Sequence, residues 1–160
     1  MKYDDALVLY AEMRSVSIPA DPAKQKKAVD KKLELVTRTT ELLTETIKLD
    51  SPEEIVSSLN LLGETNEHIS NAIENTPLPT NLKEEQKKIY IDGIRKIIEP
   101  FNKKAIESYK AAVDRGQDLQ VYSSAYKHAL KKMNEADSKN YYYGPELISD
   151  TRLIHWMGDK

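Results

Sequence analysis

The chain has 160 residues, of which 39% are hydrophobic and 31% charged, and its formal net charge is −2. That length fits about one domain with a single core, and the near-neutral charge excludes the overall positive field that nucleic acid or an anionic membrane attracts. No apolar run approaches the ~20 residues of a membrane span. The absence of cysteine excludes disulfides, thiolate chemistry and thiolate metal sites.

Two helices separated by a proline-rich turn are predicted in the N-terminal part of the chain. The first should run from about Asp4 to Val16 and end before residues 18–22, Ile-Pro-Ala-Asp-Pro, because each proline disfavours helix at the residue before it. Asp21 should cap the second helix, which should continue to about Leu49. Its apolar spine repeats at helical spacing: Val29, Leu33, Val36, Thr40, Leu43 and Ile47.

A third helix is predicted from the sequence Ser51-Pro52-Glu53-Glu54. Ser51 can cap this helix, and Glu54 can reach back to complete a capping box. Residues 76–80, Thr-Pro-Leu-Pro-Thr, should end it in an extended linker. We expect the second and third helices to pair through their spines, Val29, Leu33, Val36 and Leu43 against Ile55, Leu59, Leu62 and Ile69.

Two further helices are predicted before a C-terminal tail. Asn81 should cap a helix that begins at Leu82, and Pro100 should kink or break it, because proline removes a backbone hydrogen bond and clashes with the preceding turn. Beyond Pro100 the apolar face continues to Gly116, the expected C-cap. A last helix should run from about Asp118 to Glu135.

Part of the fourth helix carries a spacing typical of tetratricopeptide repeats. Such a repeat has Leu-Gly in its first helix and Ala-x3-aromatic-x2-Ala in its second, where small residues allow a close approach and the aromatic fills the gap between hairpins. Ala105-x3-Tyr109-x2-Ala112 fits the second helix, and Gly93 stands at the position of the first-helix glycine. We therefore predict an all-α fold of about five main helices, stacked as antiparallel hairpins in a right-handed, tetratricopeptide-like array over residues 1–137. Residues 138–160 should form an aromatic-rich tail or cap.

A longer stretch, from about Ile55 to Ala136, carries a more specific order of motifs: Leu62-Gly63, Pro77-x-Pro79, Tyr90, Pro100, Lys104-Ala105-Ile106-x2-Tyr109 and Val121-Tyr122. In this order it resembles the C-terminal region of large tetratricopeptide proteins of gliding and predatory deltaproteobacteria. The resemblance implies a helical assembly scaffold associated with the bacterial cell envelope, or periplasm, and with the motility machinery. It also implies that the chain is the end of a longer superhelix.

Catalytic and metal-binding motifs are scarce in the sequence. It contains no Gly-x-Ser-x-Gly nucleophile motif, no phosphate-binding Gly-x4-Gly-Lys-Ser/Thr and no dinucleotide-binding Gly-x-Gly-x2-Gly. His68, His128 and His155 lie on separate segments, and His128 is expected at the surface. We therefore predict no enzymatic activity, no cofactor and no metal. The alternative is a metal-binding or enzymatic bundle that uses Glu64, Glu67 and His68.

Aromatic and basic side chains are the candidates for contact with a partner. Tyrosine and tryptophan bury area while keeping a polar tip, and lysine pairs can hold a partner's carboxylates, although their acidic neighbours favour ordinary solvated helix faces. The tail aromatics have an alternative role, folding back to close the open end of the array. The predicted partner-binding residues are Lys103, Lys104, Tyr109, Tyr122, Tyr126, Tyr141, Tyr142, Tyr143 and Trp156.

The function predicted from these features is a non-catalytic scaffold that binds a protein or peptide partner along a helical groove. Helical stacking, the partial repeat pattern and the scarcity of catalytic motifs favour this function. Nucleic acid is not an expected partner, and direct membrane insertion is not expected. The alternative is a self-assembling module, a homo-oligomer in which the spines of the second and third helices pair between chains.

Overall fold

The computed structural model describes residues 2–49 and 51–144. It contains five α-helices: α1 (Lys2–Ser15), α2 (Pro22–Ile47), α3 (Pro52–Glu74), α4 (Glu84–Asp118) and α5 (Ser124–Ala136). The prediction of an all-α protein is confirmed for these residues, which include no β-strand. Residues 145–160 of the predicted tail lie outside the described part of the chain.

Helix α3 is the central element of the fold. It packs against each of the other helices, and 11 of its 23 residues are buried, more than in any other helix. On one side it meets α2, where Val36 and Ile69 belong to a shared apolar cluster. On the other it meets α4 and α5, where Val56 packs with Ala105 and Met133. The other helices are therefore positioned by their contacts with α3.

The predicted pairing of α2 with α3 is correct for only part of the α2 spine. Val36 packs with Ile69, and Leu43 packs with Leu61 and Leu62. Leu59, in contrast, packs against the cluster that α3 shares with α4 and α5. The buried face of α2 is rotated slightly from the predicted spine, because it includes three polar residues that hydropathy alone places outside, Lys32, Thr39 and Thr46. The other buried residues of α2 are Leu35, Val36 and Leu43.

Local hydrogen bonds set the helix ends, and only some follow the prediction. The Asp21 carboxylate accepts from the backbone N–H groups of Ala23 and Lys24 at 2.9 and 3.2 Å, as predicted for an N-cap. The predicted capping box at Ser51 is wrong, because its side chain makes no capping hydrogen bond.

The predicted N-cap of α4 and the predicted start of α5 are also wrong. Lys83, not Asn81, caps α4, and its backbone N–H donates to the Gln86 side chain at 2.9 Å. Helix α5 begins after the N-cap Ser123, whose hydroxyl accepts from the Tyr126 N–H at 3.3 Å. The chain between α4 and α5 turns through Gln120, which has a φ of 56°. The last helix therefore begins six residues later than the predicted start at Asp118.

Pro100 lies inside α4 without ending it, so of the predicted kink or break at this residue the break is wrong. Helix α4 runs for 35 residues across it. Ile98 and Ala105, on either side of the proline, are both buried against α3, and this burial offsets the roughly 3 kcal/mol that an interior proline costs. Gly116 also lies within α4 and is not its C-cap.

The continuous helix changes the interpretation of the repeat spacing. Gly93 and Ala105 share one helix, whereas a tetratricopeptide repeat places these two positions on two helices. The close approach occurs at Gly63 of α3 instead, where an added Cβ atom would lie 2.5 Å from the Cδ1 atom of Tyr109. An added Cβ atom at Gly93 would meet nothing within 4 Å. A close approach of a glycine and Tyr109 therefore does occur, but with Gly63 of α3 and not with Gly93.

Replacing Gly63 with alanine should destabilise the protein by about 1–3 kcal/mol, because the buried Tyr109 ring occupies the space that the methyl group needs. Gly93→Ala is the matched control. It should stabilise by about 0.5–1 kcal/mol, since it adds helix propensity at an open position. Urea unfolding of the variants measures both changes, and equal effects of the same sign would contradict the packing described.

Candidate functional site

A groove separates α2 from α4 on one side of α3. Both helices pack on α3, but over their described lengths no Cα atom of α2 lies within 8 Å of a Cα atom of α4. Two adjoining cavities of about 570 and 450 Å³ fill the space between them and share Leu33 and Phe101 as lining residues. We call this space the α2–α4 groove, defined by Val29, Leu33, Ile73, Ile94, Ile97 and Phe101.

The α2–α4 groove is lined by apolar side chains, most of which the core covers only in part. Val29 and Leu33 belong to the predicted α2 spine, yet they are only half-buried, because the fully buried face of α2 is rotated away from them. Across the groove, Ile97 of α4 is 55% exposed. Apolar surface of this kind gains free energy when a partner removes it from water.

The length of the α2–α4 groove suits a helix. Its α2 wall extends from Pro22 to Glu41 and its α4 wall from Tyr90 to Ser108. At ~1.5 Å per residue each wall is about 27 Å long, which corresponds to a helix of about 18 residues. With α2, α3 and α4 as three sides, such a helix would complete a four-helix arrangement.

Charged side chains stand along the rims of the α2–α4 groove. Lys26 and Asp30 lie at one end, and Glu41 and Lys104 lie toward the other. Within residues 2–49 and 51–144 none of these four makes an ion pair or a side-chain hydrogen bond. They are therefore available to pair with charges on a bound helix, which would fix its direction and register.

A second surface, the polar cleft, lies between α1, α3 and α5 and has a volume of about 320 Å³. At its centre the Glu67 carboxylate accepts hydrogen bonds from the Tyr109 hydroxyl at 2.6 Å and from Lys132 Nζ at 2.7 Å. Glu64 lies 3.5 Å from His128 Nδ1. The cleft is lined by Tyr10, Arg14, Glu64, Glu67, His68, Asn71, His128 and Lys132.

The directions of the pKa shifts in the polar cleft indicate that Glu67 and Lys132 stabilise each other in their charged forms. Burial by itself raises the pKa of Glu67, but the hydrogen bonds from Lys132 and Tyr109 outweigh it and hold this pKa below its ordinary value. The hydrogen bond to Glu67 raises the pKa of Lys132. Burial, followed by the nearby carboxylates, raises the pKa of Tyr109, and burial raises that of Tyr10 to about 12. These groups form a hydrogen-bonded network in which Glu67 is paired with Lys132 and Tyr109.

The alternative metal or catalytic site at Glu64, Glu67 and His68 has no support in the geometry. Glu67 is held by Lys132 and Tyr109, while His68 Nε2 faces Lys32 Nζ at 3.0 Å. No group of three or more histidine, aspartate or glutamate side chains in the described residues is placed to hold a metal ion.

His128 lines the polar cleft with 35% of its side chain exposed, so it lies at the surface as predicted, but only in part. Its Nδ1 atom lies 2.8 Å from Asn60 Oδ1, and its ring meets the Tyr109 ring edge-on at 5.8 Å. Hydropathy alone does not predict the contact between His128 and Asn60, because Asn60 is a polar residue on the buried face of α3.

The predicted partner-binding residues do not form one surface. Tyr109 and Tyr126 are 1% and 8% exposed and are core residues. Tyr141 is half-buried against the α3–α4–α5 core, as a cap would be, whereas Tyr122, Tyr142 and Tyr143 are exposed. Lys103 and Lys104 are exposed on α4, and only Lys104 reaches the α2–α4 groove. Trp156 lies outside the described residues.

No protein-family model, curated protein or solved structure matches this chain significantly. Function is therefore inferred from the geometry. None of the helices in residues 2–49 and 51–144 combines the length and the apolar character that crossing a membrane would require.

Glu67 and Lys132 should show a coupling energy of about 1 kcal/mol at neutral pH in a double-mutant cycle of Glu67→Gln and Lys132→Met. The folded-state pKa of Glu67 lies below its ordinary value of 4.5. The coupling should therefore be complete above that pH and should be lost as the pH falls through the folded-state pKa. Urea unfolding at several pH values measures it. The matched control is Lys131→Met, since Lys131 is exposed. An equal coupling energy between Glu67 and Lys131 would contradict the network.

Proposed function

We propose that the protein is a non-catalytic scaffold that binds an amphipathic helix of a partner protein in the α2–α4 groove. The observation that carries the proposal is the apolar gap between two helices that share α3 but do not touch through their backbones. A helix with apolar residues at intervals of three and four would cover Leu33, Ile97 and Phe101 from water. The rim charges, which have no ion pair within the described part of the chain, provide specificity: Lys26, Asp30, Glu41 and Lys104.

The proposal includes a tetratricopeptide-like stacking of antiparallel helices. Two contacts support this arrangement. Lys2 at the start of α1 donates to Glu45 near the end of α2 at 2.7 Å, and Gly63 of α3 accommodates the ring of Tyr109 from α4. An assembly role at the bacterial envelope, as the resemblance to large tetratricopeptide proteins implies, belongs to the same proposal. In this proposal the partner is a protein and not a nucleic acid or a lipid bilayer.

A selection of displayed helical peptides of about 18 residues tests the groove. Peptides that bind the intact chain should share apolar residues at helical spacing, and Ile97→Asp should weaken their binding by about tenfold or more, because it places a charge in the apolar contact. Ile106→Asp is the matched control. Ile106 is 40% exposed on α4, close to the 55% of Ile97, but it lies outside the groove, so its substitution should leave binding unchanged.

Fluorescence anisotropy of labelled peptides measures the affinities, and circular dichroism confirms that both variants fold. Failure to enrich helical peptides, or equal losses for the two variants, would overturn the proposal. Light scattering over a dilution series separates self-assembly: a dimer that Ile97→Asp dissociates would replace the partner helix with a second copy of this chain.

A further inference from the structure

Lys32 is a buried basic side chain whose partners among the described residues are a backbone carbonyl and a histidine ring. It is 2% exposed on the face of α2 that meets α1 and α3. Its Nζ atom donates to the Met13 carbonyl oxygen at 2.6 Å and lies 3.0 Å from His68 Nε2. Within the described part of the chain, no carboxylate forms an ion pair with it. An uncompensated buried charge is costly, so the site depends on these two acceptors.

The first acceptor ties Lys32 to the end of α1. Met13 lies in the last turn of α1, where the backbone carbonyl groups have no partner within the helix. A cationic donor at that position caps the carbonyl and interacts favourably with the negative end of the helix dipole. Lys32 therefore fastens the C-terminal turn of α1 to α2.

The second acceptor ties the contact to the protonation state of His68. A lysine ammonium has only donors, so the Nε2 atom that it meets must carry a lone pair, and the ring must be neutral. Protonating the ring converts Nε2 into a donor. It would leave two cations 3.0 Å apart, with one acceptor lost.

The other charged and titratable groups near His68 do not compensate such a change. Helix α1 contributes Tyr10 and Arg14, and α5 contributes His128 and Lys132. The two carboxylates of α3 already have partners: Glu67 is bonded to Lys132 and to Tyr109 of α4, and Glu64 faces His128. Burial, followed by the charges of Lys32 and Arg14, lowers the pKa of His68, and these effects outweigh a hydrogen bond to the Met13 backbone that raises it.

We propose that Lys32 and His68 form a latch, controlled by the proton on His68, that holds the C-terminal end of α1 against α2 and α3. With the ring neutral, the latch is closed. Protonation of the ring opens it and releases α1, which uncovers the apolar surface around Met13, a side chain that is 0% exposed when α1 is docked. The latch lies away from the α2–α4 groove and does not depend on the proposed function.

The pH range follows from the direction of the pKa shift. The folded-state pKa of His68 lies below the ordinary value of 6.5, so the released state takes up the proton first. The attachment of α1 is therefore complete above about pH 6.5 and weakens as the pH falls toward the folded-state pKa. Because a single proton is linked to the release of α1, the equilibrium constant for this release, the opening constant, changes by at most about tenfold per pH unit.

Hydrogen exchange of the full chain between about pH 7.5 and about pH 5 tests the latch. After correction for intrinsic exchange rates, the opening constant of the α1 amides should rise by up to about tenfold per pH unit below about pH 6.5, while that of the α3 amides stays constant. In His68→Gln this dependence should disappear, because glutamine offers an acceptor oxygen but cannot be protonated. His128→Gln should retain it, since His128 faces Glu64 and not Lys32.

Three results would overturn the latch: α1 exchange that does not depend on pH, α1 and α3 amides that open together, or an unchanged pH dependence in His68→Gln. Should His68→Gln not fold, an NMR titration of the wild-type His68 ring decides the question. A ring pKa below 6.5 with α1 amide shifts that follow the same titration supports the latch. A pKa at or above that value, or α1 shifts that do not follow it, overturns it.

Discussion

The packing of the Tyr109 ring against Gly63 is the contact on which the arrangement of the helices depends. The ring is 1% exposed and occupies the space that any side chain at position 63 would need. Its hydroxyl group donates a hydrogen bond to the carboxylate of Glu67, also on α3, at 2.6 Å. One side chain therefore holds α4 close to α3 and also contributes to the polar cleft. Since α4 carries Ile97 and Phe101, the same contact sets one wall of the α2–α4 groove.

Helix α3 contributes to two surfaces of opposite character, the polar cleft on one side and the apolar α2–α4 groove on the other. Toward the polar cleft it presents Glu64, Glu67 and His68, whose partners come from α2, α4 and α5. Half-buried charges that pair in this way specify an arrangement more than they stabilise it. Toward the α2–α4 groove the lining is largely apolar, and no helix among residues 2–49 and 51–144 covers it. A partner gains more free energy by covering the second surface, because apolar area contributes on burial without a compensating desolvation penalty.

The sequence alone predicts the existence of the five helices, because each has an apolar period and a polar or proline-rich boundary. It does not predict which of the expected helix ends are present in the structure. The sequence predicts a kink or a break at Pro100, but the buried residues Ile98 and Ala105 on either side keep α4 continuous. The α2–α4 groove was missed because periodicity identifies an apolar stripe without showing how much of it the core covers. Lys32 was missed because its burial depends on a carbonyl and a ring from two other helices.

The NMR signals of the Gly63 α-protons test the packing of α3 against α4 most directly. If the Tyr109 ring lies on Gly63 as described, these protons should show strong nuclear Overhauser effects to the ring protons, and their chemical shifts should be displaced by the ring current. Gly93, which faces open space on the same helix as Tyr109, should show neither effect. Gly63 α-protons with ordinary shifts and no contact to an aromatic ring would contradict the helix packing, and with it the position of the α2–α4 groove.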